Sequence, residues 1–162
     1  MNRILICTTA MAFWAAASAV NAAPMVKEIE VTADLTAIEN PQAATYWTHV
    51  ADDVENAIVT RLTDRIADDG VSIVIDLSEI ELSNSFQEAL NVADTKLVGT
   101  VNVKPQEPGD KGFNSYELTV NINQAMVFMP EGTDVTKLSQ DTTVYYDAMV
   151  NAFADAVVVR LE

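Results

Sequence analysis

The stretch MVKEIEVTADLTAI, residues 25–38, decides how the chain folds. Met25, Ile29, Val31, Ala33 and Leu35 share one side of an extended chain, and Glu28, Glu30, Thr32, Asp34 and Thr36 share the other. Successive side chains of extended backbone point to opposite faces, so this period of two predicts a strand with one buried and one wet face. A strand covered on both faces reads instead as an unbroken apolar run. The pattern therefore predicts a sheet with one side in water.

Working outward, Asn40-Pro41 opens a helical stretch: Asn40 suits the cap, and Pro41 suits the first helical position, where its missing N–H costs nothing. At about 100° per residue, Trp47, Ala51, Val54, Ile58 and Leu62 form an apolar stripe. His49, Asp52, Asn56, Thr60 and Thr63 lie opposite. The spacing predicts one helix from Pro41 to about Asp69, closed by Gly70. Val71, Ile73, Ile75 and Leu77 then resume the period of two. Ile80 and Leu82 continue it one residue out of phase, which implies a β-bulge or a break into two strands. Asn84 to Leu90 fits a short helical turn that packs Phe86 and Leu90.

Leu97, Val101 and Val103 mark a further strand. The turn around Gly109-Asp110-Lys111-Gly112 joins it to a strand carrying Tyr116, Leu118, Val120 and Ile122, as an antiparallel hairpin. Met126 to Met129 reads as a continuation of that strand, and Pro130, Gly132 and Asp134 as a loop. A last helix runs from about Asp141 to the end, with Tyr145, Met149, Ala152, Phe153, Ala156 and Val157 on its apolar stripe. Half-polar strands and two one-sided helices predict an α+β two-layer sandwich: one mixed or antiparallel sheet, two helices on one face, order β-α-β-β-β-α. This order resembles small periplasmic domains of envelope-assembly and transport-accessory proteins, a likeness of topology that rests on no sequence motif.

Residues 1–22 have the layout of a secretory signal peptide. Asn2 and Arg3 make a short charged start, Ile4 to Ala19 is apolar, and small residues cluster from Ser18 to Ala23. Cleavage is expected after Ala22, with Ala23 the alternative, because signal peptidase admits only small side chains at its two reading positions. The run barely reaches the roughly 20 residues of a spanning helix, so an uncleaved anchor is the weaker reading. Residues 23–162 are then a single α+β domain, periplasmic or secreted, with no membrane span left after cleavage. Cys7 is the single cysteine and lies near the start of the apolar run, where it cannot be a lipidation site. The mature domain would hold no disulfide, thiolate metal site or thiol nucleophile.

The formal charge of −15 disfavours nucleic acid and anionic lipid as partners. It suits solubility, or a cationic partner. A lone histidine, His49, excludes a histidine metal centre, and its neighbours Asp52 and Asp53 point to a surface ion pair. No Gly-x-Ser-x-Gly, Walker motif or dinucleotide fingerprint occurs, so no cofactor is expected. Acids at Asp76, Glu79, Glu81, Glu28, Glu30 and Asp34 are the only material for a carboxylate hydrolase, and a wet sheet face accounts for them. Asp68, Asp69 and Glu107 would make at most a weak cation site.

The remaining signals concern surfaces. Arg61 and Arg65, and Arg160 near the end, lie at the margins of apolar stripes, where an alkyl stem packs and the guanidinium reaches out. Tyr145-Tyr146 and Met126 to Met129 place adjacent apolar side chains where only one of a pair can face the core. Tyr146, Met126, Phe128, Arg61 and Arg65 are therefore the expected interaction surface. The resulting expectation is an exported, non-enzymatic interaction domain with a protein partner in the cell envelope. A periplasmic small-ligand or cation binder is the alternative, and a carboxylate hydrolase the third.

Overall fold

The computed structural model describes residues 23–78, 81–82, 95–105, 114–134 and 143–162. The signal-peptide reading, the turn expected at Asn84–Leu90 and the Gly109–Gly112 turn lie outside them. β1 (Val26–Thr32) is followed by α1 (Pro41–Tyr46) and α2 (Val50–Arg61). β2 (Val71–Leu77), β3 (Lys96–Lys104) and β4 (Asn114–Asn121) come next, then a short α3 (Ile122–Ala125) and the long α4 (Thr143–Val159). The four strands form one sheet in the order β1-β2-β3-β4. β1 and β2 are parallel, and the other two pairs are antiparallel. The α+β sandwich with a mixed sheet is thus as expected.

Alternation works as the strand sequences imply. Val31, Ile73, Ile75, Leu77, Leu97, Val101, Leu118 and Val120 are buried in the core. Glu28, Glu30, Thr32, Asp76, Thr100, Glu117 and Thr119 are exposed on the other face. α2 packs on β1, α4 packs on β3 and β4, and the two helices pack against each other. Gly99 is buried in β3, where a methyl group would lie 3.1 Å from the ring of Phe153 on α4. The core is closed by Trp47, Val54, Ile58, Leu62, Tyr145, Met149, Phe153 and Val157, all essentially inaccessible. Among the described residues, no helix is long and apolar enough to cross a membrane.

Four local expectations are corrected. The phase of the first strand is wrong at its start: Val26 is 0% exposed and Met25 40%. The register shifts between Val26 and Glu28, a bulge that turns Val26 inward. Thr32 ends this strand, and a single 3-10 turn follows, capped by the Asp34 carboxylate.

The helix expected from Pro41 to Asp69 is two helices. Asn40 caps the first as foreseen, its Oδ1 accepting from the N–H of Gln42 at 2.9 Å. The chain leaves helical geometry at Trp47–His49. There the Trp47 indole N–H donates to the Leu82 carbonyl at 3.0 Å, a buried bond to a segment 35 residues away. The second helix ends at Arg61, and Ile66 has already joined Val26 in a β-bridge.

The strand from Val71 ends at Leu77, and Glu81 and Leu82 are helical rather than extended; Glu79 and Ile80 lie outside the described residues. Leu82 N–H donates to the Ser78 carbonyl at 3.0 Å, which is helical spacing. Met126 to Met129 likewise does not extend β4. Asn121 accepts from the N–H groups of Asn123 and Gln124, while the Gln124 side chain accepts from the Asn121 N–H. This reciprocal cap turns the chain into α3 at once.

Candidate interaction surface

The turn after β4 has a capped, buried base and an apolar tip. Ile122 and Ala125 anchor α3 in the core. Met126–Phe128 forms one 3-10 turn, closed by the Met129 N–H on the Met126 carbonyl at 3.2 Å. Two adjacent side chains of this turn face water: Met126 is 46% exposed and Val127 79%. Pro130 follows, and its carbonyl accepts from the hydroxyl and the N–H of Thr133. Between them, Met126, Val127, Met129, Pro130 and Glu131 line an open depression of about 310 Å³.

Phe128 points the other way, half-buried against the core, with the Arg61 guanidinium 5.9 Å from its ring centre. Arg61 is more than a snorkelling side chain. Nη1 donates to the Ala57 carbonyl at 2.9 Å, and Nη2 donates to Asn151 Oδ1 at 2.9 Å and to the Asn151 carbonyl at 3.3 Å. Asp155 lies 3.9 Å from Nε. The planar fork of the guanidinium thus ties the end of α2 to the middle of α4. Arg65 does different work: it donates to the Pro24 carbonyl at 3.1 Å, fastening the entry to β1. Arg160 lies over the ring of Tyr116 at 4.7 Å. Burial raises the Tyr116 phenol above its usual range, and the nearby Arg160 charge partly offsets this.

Tyr146 stands apart from the turn, near the start of α4. Its hydroxyl donates to Asp53 Oδ2 at 2.5 Å. Its ring meets Tyr46 edge to face, with centroids 5.6 Å apart, and lies 5.7 Å from the Trp47 ring. Burial, followed by the Asp53 carboxylate, holds its phenol far above the usual range. The ion pair expected between His49 and its neighbouring acids does not form, because Asp53 turns to Tyr146 instead. His49 stays exposed at the N-cap of α2, with no side-chain capping bond.

The expected surface therefore divides. Arg61 meets Phe128 on the inner side of the turn, Met126 lies on its exposed side, Tyr146 belongs to a second cluster with Tyr46 and Asp53, and Arg65 serves a third place. Val127 was missed, although the Asn121…Gln124 capping box was readable and would have put Met126–Phe128 on a turn. Tyr46 and Asp53 were missed because only the tertiary placement of α1 and α2 beside α4 brings them to Tyr146.

The outer sheet face carries a shallow depression of about 400 Å³, lined by Asp76, Glu81, Lys96, Thr100, Glu117 and Thr119. Asp76 and Glu117 both face Thr100 in register, from opposite neighbouring strands. That places their Cα atoms about 10 Å apart. Both side chains are exposed rather than set in the apolar pocket that a general acid needs. Among the described residues, no group of three or more His, Cys, Asp or Glu converges to hold a metal ion. Of the weak cation site considered at Asp68, Asp69 and Glu107, the last lies outside the described residues. No protein-family model, curated protein or solved structure matches this chain.

Proposed function

We propose that this chain is an exported, non-enzymatic interaction domain that docks a protein partner in the cell envelope through the turn at Met126–Phe128. One observation carries the reading: Met126 and Val127 expose adjacent apolar side chains on a turn whose base is capped and buried. Apolar surface held in water on a rigid support loses free energy when a partner covers it, at roughly 25 cal/mol per Å², and little ordering entropy opposes docking. Export rests on the Asn2–Ala23 leader pattern, and the accessory role on the resemblance in element order.

The test is co-purification of the tagged chain from cross-linked envelope, beside a Val127→Glu variant. The expected result is a partner recovered with the parent chain and lost with the variant, whose fold is unchanged by circular dichroism. Equal recovery with both would remove the turn from the interface.

A small-ligand or cation-binding role is the second reading, supported by the acid-lined depression on the outer sheet face. It requires a rise in melting temperature with calcium or a cationic ligand, abolished in Glu117→Gln.

A further inference from the structure

Tyr46 from α1, His49 and Asp53 from the start of α2, and Thr143 and Tyr146 from the start of α4 line an open cavity of about 330 Å³. We infer that this corner is a binding site for a small quaternary or methylated ammonium cation. Three observations meet there. The Tyr46 and Tyr146 rings both line the cavity and meet edge to face, at 89° to each other. The negative face of an aromatic ring attracts a weakly hydrated cation, so aromatic lining favours such a ligand.

The second observation is the floor. Asp53 is half-buried, and Tyr146 bonds one oxygen, Oδ2. Oδ1 carries no side-chain hydrogen bond, and no Lys or Arg pairs with the carboxylate, among the described residues. The bond from Tyr146 also fixes the carboxylate, so a cation would meet it already oriented.

The third observation is selectivity. One carboxylate and two rings cannot supply the six or more oxygens that calcium requires. A soft organic cation needs only one counter-charge and apolar contact, and this corner has both. The chain's charge of −15 would concentrate such cations around it. The buried Trp47 indole supports the corner from behind, 4.7 Å from Tyr46 and 5.7 Å from Tyr146. The site is independent of the Met126–Phe128 turn.

The experiment is a calorimetric titration of the full chain with choline, and with its neutral isostere 3,3-dimethylbutan-1-ol. Choline is expected to saturate with a dissociation constant of ~1–10 mM, and the uncharged isostere to bind at least about tenfold more weakly. Asp53→Asn keeps the size of the side chain and is expected to weaken choline about tenfold, with an unchanged circular dichroism spectrum. Phosphatidylcholine vesicles separate the two sources of this chemistry. Binding to vesicles as well as to choline assigns a lipid headgroup, and binding to choline alone assigns a soluble amine. No saturation by choline, equal binding of the isostere, or undiminished binding by Asp53→Asn would each overturn the inference.

Discussion

Gly70 lies where the backbone of Val26 and Lys27 comes too close for a side chain, and Gly70→Ala is the sharpest test of how the first strand is set. A methyl group at Gly70 would lie 2.5 Å from the Val26 carbonyl carbon, 2.6 Å from the Val26 nitrogen and 2.7 Å from the Lys27 nitrogen. Comfortable contact between such atoms begins near ~3.5 Å, so the segments must separate by about 1 Å. The obstacles are main-chain atoms, which cannot rotate aside. Separation strains the bond from Ala67 N–H to the Val26 carbonyl and that from Val71 N–H to the Met25 carbonyl, both 2.9 Å. It also loosens Val26, which is fully buried. Two weakened hydrogen bonds at ~1 kcal/mol each, with lost core packing of ~1–2 kcal/mol, give about 3–4 kcal/mol. That is a large share of the ~5–15 kcal/mol typical of a domain. Urea unfolding followed by far-ultraviolet circular dichroism should show the midpoint falling by roughly 1.5–2 M. Gly132→Ala is the control. Gly132 sits at φ 80° with nothing nearby, so its cost is only the left-handed backbone, about 1 kcal/mol. If Gly70→Ala costs no more than Gly132→Ala, the close approach to Val26 does not exist and the account of the bulge fails.

Three further outcomes are expected. Trp47→Phe leaves the buried Leu82 carbonyl without its 3.0 Å donor and should cost about 2–3 kcal/mol in the same assay. A loss below ~0.5 kcal/mol would remove that bond as the cause of the helix break. Arg61→Lys keeps the charge but cannot reproduce the forked bonds to Asn151 and Ala57, so unfolding should become easier by ~1–2 kcal/mol. No loss would mean that charge alone sufficed. Burial raises the Tyr145 phenol from 10 to about 12 in the folded state. A raised folded value means the contribution is whole below pH ~10 and disappears as pH climbs to ~12, a loss of roughly 2–3 kcal/mol. Tyr145→Phe should therefore decline less steeply over that window, and parallel declines would refute the assignment.

The reading of the chain succeeded where a pattern repeats locally. Alternation in Val71–Leu77 and Tyr116–Val120 follows from the geometry of an extended backbone, whatever the partner strands. The stripe of Val54, Ile58 and Leu62 follows from helical pitch, and the Asn40-Pro41 start from the valence of the first turn. These features sufficed for a half-wet sheet covered by one-sided helices. They also marked Met126 as an exposed apolar side chain, through the conflict between neighbouring apolar residues.

Only the tertiary structure decided the exceptions, and each has a long-range cause. Val26 turns inward because Gly70, far along the chain, lets two main chains touch. The helix breaks at Trp47–His49, where the indole reaches a carbonyl beyond β2. Met126–Phe128 leaves the sheet because a four-residue cap outweighs the strand preference of Val127 and Phe128. Tyr46, Asp53 and Tyr146 form a corner because the end of α1 and the start of α2 lie beside the start of α4. Periodicity records which side of an element faces the core, since that depends on neighbours three or four residues away. Which side chains from distant elements share a corner depends on how those elements pack, and no local pattern carries that information.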